Sequence, residues 1–403
     1  MHITFLLTQD LECPSGLGRY WPLGKHLVNL GHKVTILALH SNYKSLDNFE
    51  KKYYCNGVRI HYVGQMHVHK TGSHKYYFST CKLLWITLKA TFSLLKAALE
   101  TQADVYHVGK PHPMNSIAGI VAHFLRDKPI YLDCDDYEAH SNNFSKVFQR
   151  KIIAIFENKV PFLMNGVTTN TKFMREYLIS LGYPSKQISY IPNGVDTDLF
   201  SDDIKNPDEI LELKQNLDIL NKKVILYIGS MSLVNHAVDL LLEAFALVLQ
   251  SEPESVLVLV GGGEDLKKLF YYAVELDIKS HVRFVGKVLS SSVLKYYHIA
   301  HVSIDPVNND LVAQARSPLK LFESLATGTP FVSADIGDRR LILGTPKAGV
   351  LTKPGDKFAL AEAILSLLNN RKERKNLSTL GKQRVQDYNW PKLTTKLAKV
   401  YHG

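Results

Sequence analysis

Short apolar runs alternate along the chain with longer segments in which apolar positions recur every three or four residues. The short runs predict buried strands, and the longer periodic segments predict amphipathic helices. In the first half, the predicted strands are 2–7, 33–39, 58–63, 104–108, 129–133, 166–169 and 187–191. The predicted helices of this half lie near 17–30, 79–101, 114–126, 144–163 and 171–181.

The same alternation restarts in the second half of the chain. Its predicted strands are 223–228, 255–260, 282–285, 301–304, 329–333 and 349–351. Its predicted helices lie near 237–249, 264–276, 290–299, 317–327 and 356–369, with two more after 371. Strand–helix alternation favours parallel sheets covered on both faces, so we predict an α/β chain with two doubly wound, Rossmann-like domains.

A turn-rich connector, Ile191-Pro192-Asn193-Gly194-Val195-Asp196, separates the two halves. We predict a first domain over 1–195 and a second over 196–385. The connector is interpreted either as a simple turn or as a direct ligand contact. Pro391 is suited to the first turn of a helix, and we expect the tail 386–403 to form a helix that returns to the first domain.

Composition is that of a globular protein, with 45% hydrophobic and 21% charged residues among 403. The four cysteines, Cys13, Cys55, Cys81 and Cys134, are scattered, which favours a reducing cytoplasm over a disulfide framework. The net charge of +10 favours anionic partners. No nucleic-acid module is recognisable, so we expect no nucleic-acid partner.

Basic and aromatic residues are mixed between Lys70 and Lys96. Lys82, Lys89 and Lys96 recur every seven residues and share one face of a predicted surface helix that is too interrupted to span a membrane. We interpret the stretch either as an ordinary helix with a solvated lysine face or as a peripheral contact with an anionic membrane. The second interpretation would place a cytoplasmic protein at the inner face of the membrane.

The segment from Ser317 to Val332 predicts a loop, a short helix and a buried strand. Backbone N–H groups at a helix start favour an anion. Lys320 adds a cation one turn into the helix, and Glu323 on the same face supplies a carboxylate that can accept hydrogen bonds from a sugar diol. This combination indicates a nucleotide sugar more than a bare phosphate.

Four motifs, in order, cover essentially the whole chain. They are Gly16-Leu17-Gly18; the connector; Tyr227-Ile228-Gly229-Ser230 with Val238–Phe245; and Leu259–Glu264 with Val282–Gly286, leading to the Ser317–Val332 stretch. Together they resemble glycosyltransferase family 4, the retaining sugar-nucleotide enzymes of GT-B fold. The resemblance implies two domains facing a deep cleft, and transfer of a hexosyl group from a nucleoside-diphosphate sugar to a hydroxyl acceptor. The acceptor would be a glycan, a lipid-linked molecule or a small molecule, and no metal or other cofactor is expected.

The resemblance also implies site residues. Those expected to bind the donor are Gly16, Leu17, Gly18, Gly229, Ser230, Gly262, Gly263, Arg283, Val285, Arg316, Ser317, Leu319, Lys320 and Glu323. Those expected to be catalytic are Lys320, Asp135, Asp136 and His107. Simpler interpretations stay open: tight turns for the glycines, a solvated Arg316, helix capping by Asp136 and a core position for His107.

The chain departs from the family pattern at three positions. Ala315 stands where the family often has a glutamate, and Ser230 and His236 stand where it often has an arginine and a lysine that neutralise the leaving diphosphate. Lys320 and Arg316 are the expected substitutes. Two alternatives stay open, a sugar-nucleotide epimerase of related two-domain shape and a non-catalytic nucleotide-sugar-binding protein, and the departures give weight to the second.

Overall fold

The computed structural model describes residues 1–12, 16–71, 74–141, 146–201 and 206–402. The chain forms two compact units. The first unit contains Met1–Asn193, Ala315–Ser317 and the segment from Trp390 onward, and the second contains Gly194–Gln314 and Pro318–Asn389. The tail helix thus belongs to the first unit, where it packs against the first helix of the chain.

The first unit is built on an eight-stranded sheet, with strand order β10-β9-β8-β7-β1-β2-β4-β3. Its strands and those of a separate hairpin are β1 (His2–Leu7), β2 (Lys33–His40), β3 (Lys52–Cys55), β4 (Val58–Gln65), β5 (Val68–Thr71), β6 (His74–Tyr77), β7 (Val105–Gly109), β8 (Ile130–Cys134), β9 (Gly166–Thr169) and β10 (Ile188–Tyr190). All pairs in the sheet are parallel except β3–β4, so the edge strand β3 is an antiparallel addition that the sequence pattern did not predict.

The helices of this unit form two layers. They are α1 (Trp21–Asn29), α2 (Asn48–Lys51), α3 (Thr80–Glu100), α4 (Pro113–Arg126), α5 (Glu138–Ser141), α6 (Val147–Lys159), α7 (Lys172–Ser180) and α17 (Trp390–Val400), with a π-helical turn at Gly16–Tyr20 and 3₁₀ turns at Tyr43–Ser45, Val160–Leu163 and Ser185–Gln187. Helices α1 and α17 share one core cluster with the sheet, and α3, α4 and α7 share another with the turn that follows α6. Right-handed crossovers from β4 through β10 all run in one direction along the sheet, which puts α3, α4, α6 and α7 on a single face.

The helix predicted over 79–101 is confirmed as α3, Thr80–Glu100. The beginning of the Lys70–Lys96 stretch is different, because Lys70 and Tyr76–Tyr77 lie in the antiparallel β5–β6 hairpin, which was not predicted. The β-branched and aromatic residues of this segment favour strands over helix. The helix predicted near 144–163 corresponds to α6, which begins at Val147. Positions 144 and 145 of that prediction lie outside the described residues.

The second unit is built on a six-stranded parallel sheet of order β13-β12-β11-β14-β15-β16. The strands are β11 (Lys223–Ile228), β12 (Ser255–Val260), β13 (Val282–Gly286), β14 (Val302–Asp305), β15 (Phe331–Ala334) and β16 (Val350–Thr352). The helices are α8 (Pro207–Asn216), α9 (Val238–Ser251), α10 (Leu266–Glu275), α11 (Val293–Ile299), α12 (Leu311–Ala315, ending in the first unit), α13 (Leu319–Ala326), α14 (Arg339–Leu343), α15 (Lys357–Asn369) and α16 (Arg371–Val385), with 3₁₀ turns at Lys279–His281, Ser290–Ser292 and Gln386–Tyr388.

Helix α8, Pro207–Asn216, lies between the connector and β11, where no element was predicted. The Asn206 side chain accepts a hydrogen bond from the Glu209 N–H, and Pro207 occupies the first turn, so the local signal for a helix start was present. Leu213 is the one buried residue of this helix, and the segment therefore shows little apolar periodicity. Capping identifies this helix where periodicity does not.

In the described residues, no helix combines the length and apolar character needed to cross a membrane. Cys55, Cys81 and Cys134 are free thiols, and Cys13 lies outside the described residues.

Both sheets contain a point where the strand order reverses direction, between β1 and β7 in the first unit and between β11 and β14 in the second. In open parallel sheets, ligands bind beyond the carboxyl ends of the strands at such points. The carboxyl end of β11 is followed by Gly229, whose loop runs directly against the loop after β12. The Met231 N–H donates to the Gly262 carbonyl at 3.0 Å, and the Gly229 N–H donates to the Val260 carbonyl at 3.0 Å.

This close approach predicts a steep cost for a side chain at Gly261. A Cβ there would lie 1.9 Å from the Gly229 carbonyl oxygen, and the backbone has φ +134°. We expect Gly261→Ala to destabilise the second unit by about 1–3 kcal/mol through overpacking, in addition to about 1–2 kcal/mol for the left-handed backbone. Denaturant unfolding measures the loss.

Gly286→Ala is the matched control, because its φ is +84° and nothing lies within 4 Å of the added Cβ. The control should lose only the backbone contribution. Equal losses in the two variants would show that the two loops are not held together as described.

Candidate functional site

Lys320 lies at the switch point of the second sheet. Its Nζ donates to Oδ1 of Asp305, the last residue of β14, at 3.1 Å, and lies 4.3 Å from the centre of the Tyr227 ring. A Cβ added to Gly229 would be 3.1 Å from the same Nζ. The structure therefore places the predicted cation beneath the Gly229 loop, in a residue that is 6% exposed.

Asp305 and Arg339 complete this cluster, and the sequence analysis missed both. The Arg339 guanidinium donates to Oδ2 of Asp305 from Nη2 at 2.8 Å and from Nε at 3.1 Å. Its Nη1 donates to the carbonyls of Ala313 and Ile336, so the fully buried side chain is fixed on every side. The sequence did contain a signal for Asp305, which is a charged residue at the carboxyl end of an apolar strand.

Two cations, Lys320 and Arg339, share the Asp305 carboxylate in this cluster, and the Glu323 carboxyl group also interacts electrostatically with Lys320. Buried charges are stabilised only by opposite charge and hydrogen bonds. Cationic side chains fixed at the carboxyl ends of β11 and β14 are suited to an anionic ligand.

Glu323 lies on the same helix as Lys320 and accepts a hydrogen bond from the Tyr297 hydroxyl at 2.8 Å. Burial raises the pKa of this carboxyl group. Helix α13 begins at Leu319 after Pro318, and no described side chain caps its start. Lys320, Leu319 and Glu323 are thus brought together, as the sequence predicted, although Glu323 already has one protein partner.

The other residues of the second unit that were predicted to bind the sugar donor differ in their surroundings. The carbonyl of Ser230 accepts from the Tyr227 hydroxyl at 2.6 Å, and the side chain is exposed. Gly263 packs against the backbone of Met231, where a Cβ would lie 2.6 Å from it. The tight packing of the two loops therefore explains why a glycine stands at position 263 without involving a ligand.

Arg283 and Val285 lie on β13, at the edge of the sheet. The Arg283 guanidinium bonds the turn after α8, donating to the Leu217 carbonyl at 2.6 Å and to Asp218 Oδ2 at 3.2 Å. Val285 packs against a core cluster of the unit. Their side chains serve the scaffold, so a ligand at this strand end would meet backbone groups.

In the first unit, the glycine loop is anchored by a buried ion pair. Arg19, in the π-helical turn that contains Gly16, Leu17 and Gly18, forms two bonds to Asp133 at the end of β8, at 2.6 Å and 2.7 Å. The nearby Arg19 guanidinium lowers the pKa of Asp133 to about 2 despite burial. A Cβ on Gly16 would lie 2.1 Å from the Asp10 carbonyl oxygen, which explains the glycine sterically.

Arg19 also reaches the connector, because its Nη1 donates to Asn193 Oδ1 at 3.0 Å. Asn193 in turn donates from its side-chain amide to the Ser317 carbonyl at 2.8 Å, and from its backbone N–H to the Ser317 hydroxyl at 3.3 Å. Ser317 is thus held inside the first unit, with Arg316 partly exposed beside it. The connector is a hydrogen-bonded anchor more than a passive turn.

A second charged cluster surrounds Lys110, which follows β7 with φ +69°, a left-handed value that is uncommon outside glycine. Its Nζ lies 2.5 Å from Asp136 Oδ2, 2.7 Å from Glu138 Oε1 and 3.4 Å from Asp135 Oδ1. His112 also contacts Glu138, at 2.9 Å. The predicted residues Asp135 and Asp136 are therefore brought together, around a lysine that the sequence analysis missed.

The three carboxylates of this cluster lie close enough together to ligate a cation. Lys110 already supplies a cation that contacts all three. Burial raises the pKa of Asp135 to about 8, whereas Lys110 and His112 lower the pKa of Glu138 despite burial. Only Asp136 is well exposed, at 34% of its side chain, so it is the carboxylate of this cluster best placed to meet a ligand.

His107 is not part of this rim. Its side chain is 1% exposed, stacks on Phe5 at 5.1 Å and shares a 2.5 Å hydrogen bond between Nδ1 and the Tyr401 hydroxyl. Burial lowers its pKa to about 4, so the ring is neutral at physiological pH. These contacts favour the core interpretation of His107 over a catalytic one.

Two Rossmann-like units with charged clusters at their switch points define a protein of the GT-B class. In agreement, a solved sucrose-phosphate synthase from Thermosynechococcus elongatus superposes with a TM-score of 0.74 at 18% identity, covering 100% of this chain and 98% of that one.

The sequence matches two family models that together span most of the chain. "Glycosyltransferase Family 4" matches residues 16–199, and "Glycosyl transferases group 1" matches residues 209–384. The chain belongs to glycosyltransferase family 4.

Curated relatives match either over less than half of this chain or over most of it at lower sequence identity. A phosphatidyl-myo-inositol mannosyltransferase of Mycobacterium leprae is 28% identical over 181 residues, 44% of this chain and 46% of that protein, so the chain spans about half of its length. A glycogen synthase of Mycobacterium tuberculosis is 23% identical over 409 residues, 96% of this chain and 90% of that protein.

The raised pKa of Asp135 predicts a pH dependence of stability. The folded chain keeps a proton up to about pH 8, whereas an unfolded aspartate releases it near pH 3.9. Stability should therefore fall as the pH rises between these values, by up to about 1.4 kcal/mol per pH unit for this group. Asp135→Asn should make this slope shallower in denaturant unfolding measured from pH 4.5 to 8.5.

Part of the slope should survive in the variant, because burial also raises the pKa of Glu157 to about 8. Asp198→Asn, an exposed change, is the control and should leave the slope unaltered. An identical slope in wild type and Asp135→Asn would contradict the assignment.

Proposed function

We propose that this chain is a retaining glycosyltransferase that moves a hexosyl group from a nucleoside-diphosphate sugar to a hydroxyl acceptor. The observation that carries the proposal is the pair of buried cations, Lys320 and Arg339, that Asp305 fixes beneath the Gly229 loop. Departure of a nucleoside diphosphate builds negative charge on its phosphate oxygens. Fixed cations and helix-start N–H groups stabilise that charge without reorganising.

In this proposal the donor lies at the start of α13. Lys320 and the first-turn N–H groups of the helix receive the diphosphate, and Glu323, one oxygen of which accepts from Tyr297, binds a sugar hydroxyl pair. Asp305 and Arg339 act as positioning residues, because they hold the Lys320 ammonium and do not themselves reach the surface. Family membership supports the same class of donor.

The acceptor is assigned to the first unit, where Asp136 orients the attacking hydroxyl. The new bond forms between that oxygen and the anomeric carbon while the bond from the anomeric carbon to the phosphate oxygen breaks. The acceptor's proton passes to the departing phosphate oxygen, so no separate base is required. Loss of water from the site would prevent hydrolysis of the donor.

The relatives favour a lipid-linked or glycan acceptor. One relative is named for phosphatidyl-myo-inositol and another for glycogen synthesis. The exposed lysines of α3 and its Trp85, 67% exposed, fit a peripheral contact with an anionic membrane at the cytoplasmic side. The donor is a soluble nucleotide sugar and no cofactor is required.

A ligand screen followed by product analysis tests the activity. Uridine, guanosine and adenosine diphosphate sugars are compared by thermal shift, because a bound donor raises the melting temperature by mass action. Product analysis with an acceptor panel should then show a glycoside of retained configuration and free nucleoside diphosphate. Conversion of the donor alone would indicate an epimerase, and binding without turnover would indicate a non-catalytic protein.

Replacing Lys320 should slow the chemical step. Lys320→Met keeps much of the packing against Tyr227 and leaves Arg339 paired with Asp305. We expect kcat to fall by about 10²–10³-fold, the effect of removing one stabilising donor in comparable sites, with the KM for the acceptor little changed. Steady-state kinetics with the donor found in the screen measures both constants.

Lys375→Met, an exposed change in α16, is the control and should behave as wild type. Thermal unfolding shows whether Lys320→Met is still folded. A folded variant with wild-type kcat would rule out the proposed role of Lys320.

A further inference from the structure

Lys110 combines an unusual backbone conformation with a buried position in the first unit. Its φ of +69° lies in the left-handed region, which residues with a side chain rarely adopt, and the residue is only 9% exposed. Such a conformation costs free energy and persists only where the surrounding structure holds it. Because the side chain of this residue enters a cluster of carboxyl groups, the strain indicates a role for its ammonium group.

Asn115, in the first turn of α4, holds the backbone of Lys110 in this conformation. Its side-chain Nδ2 donates to the Gly109 carbonyl at 2.6 Å, the Leu6 carbonyl at 3.1 Å and the Lys110 carbonyl at 3.2 Å. Two amide hydrogens are thus shared among three carbonyls at the carboxyl ends of β1 and β7. These strands meet at the switch point of the sheet. One buried amide group therefore fixes the turn from which the Lys110 side chain leaves.

The contacts of Asn115 require an amide at this position. Its Oδ1 has no hydrogen-bond partner among the described residues, so the side chain serves as a donor. An aspartate of the same shape would place a carboxylate against three carbonyl oxygens. A leucine of similar size would leave these buried carbonyls without their donor, which is costly.

The loop that carries the carboxyl groups is fixed by other residues. The Asn170 side chain donates to the backbone carbonyl of Asp135 at 2.6 Å. The Glu157 carboxylate accepts from the backbone N–H of Glu138 at 2.7 Å. These two bonds hold the backbone on both sides of Asp136, but neither of them holds its side chain.

Lys110 supplies the contact that fixes the Asp136 side chain. Its Nζ lies 2.5 Å from Asp136 Oδ2 and 2.7 Å from Glu138 Oε1. The oxygens of Asp135, Asp136 and Glu138 lie within 4.8 Å of one another, and carboxylates this close repel unless a cation lies between them. The ammonium group therefore keeps Asp136 turned toward the cluster, while 34% of that side chain stays exposed to a ligand.

We propose that Lys110 is a positioning residue for glycosyl transfer and that Asn115 in turn positions Lys110. The ammonium group fixes Oδ2 of Asp136, which directs Oδ1 toward the attacking hydroxyl of the acceptor. This inference rests on the proposed function, in which Asp136 orients that hydroxyl. Neither Lys110 nor Asn115 touches the acceptor, so both act through Asp136.

Asn115→Leu tests this series of contacts. Misplacement of a reacting group by about 1 Å can lower a rate by about 10²-fold, and we expect kcat to fall by that factor with the KM for the donor unchanged. Lys110→Met keeps an unbranched side chain and the same backbone cost, and it should lose at least as much. Lys110→Arg, which keeps a cation, should recover part of the lost kcat. Steady-state kinetics of sugar transfer measures these constants.

A double-variant cycle separates positioning from a general loss of stability. If Asn115 acts through Lys110, then Asn115→Leu should cost little further activity in the Lys110→Met background, because residues in one network are not additive. Losses that simply multiply would show that the two residues act independently, and the inference would then fail.

Amine labelling locates the Lys110 side chain without any sugar transfer. The full chain is treated with acetic anhydride, and the modified lysines are identified by mass spectrometry. Lys110 should be protected in wild type and should react about tenfold faster in Asn115→Leu, because protection reflects the free energy of local opening. The exposed Lys375 should react equally in both proteins. Equal protection of Lys110 in both would contradict the role of Asn115.

Leu27→Ala is the matched control for stability. It removes a fully buried side chain from α1, on the opposite layer of the same unit and in a different core cluster from α4. The control should lower the melting temperature and leave both kcat and the protection of Lys110 as in wild type. If it lowers kcat as much as Asn115→Leu does, the loss reflects stability alone and the inference is wrong.

The results also separate this inference from the proposed function. A wild-type chain that transfers no sugar to any acceptor would overturn both. An active wild type together with a folded Asn115→Leu variant of normal kcat would overturn the positioning inference and leave the proposed function standing.

Discussion

The site of the second unit depends on the two ion pairs that the Asp305 carboxylate forms with Lys320 and Arg339. Asp305 ends β14 at the switch point of the sheet and bonds Lys320 through one oxygen and Arg339 through the other. A lone buried charge would be expelled or neutralised, so neither cation could be kept at this depth without it. Arg339 is fixed from every side, and the ammonium of Lys320 is thereby held against Tyr227 and the Gly229 loop.

The first unit also has a buried aspartate–arginine pair near the carboxyl end of a strand. Asp133 lies near the end of β8 and fixes Arg19, which ties the glycine turn to the connector through Asn193. In each unit an aspartate at a strand end and a buried arginine hold the neighbouring loops in place. The two clusters differ in composition. Two cations meet at Asp305 in the second unit, whereas three carboxyl groups surround Lys110 in the first unit.

Much of the scaffold follows from the sequence, because buried parallel strands are nearly continuous apolar runs. Strands β11 and β12, for example, have the boundaries that were predicted. The pattern failed where burial does not define the element, as in the half-exposed β5–β6 hairpin and in α8, which its N-terminal cap identifies. The site was only partly predictable, because Lys320 and Asp136 stand in local motifs whose partners come from distant parts of the chain. Arg339 and Lys110 are ordinary basic residues in sequence, and only the sheet order brings them to Asp305 and Asp136.

The different composition of the two clusters gives the units distinct chemistry. Fixed cations at the ends of β11 and β14 favour a ligand whose negative charge grows during reaction, as that of a departing diphosphate does. A surplus of carboxylates around Lys110 favours hydroxyl donors and any positive charge that develops on a sugar ring. Burial raises the pKa of Asp135 to about 8, and Asp136 is the most exposed carboxyl group of this cluster. In the proposed function, the second unit therefore stabilises the group that leaves the sugar, and the first unit receives the attacking acceptor.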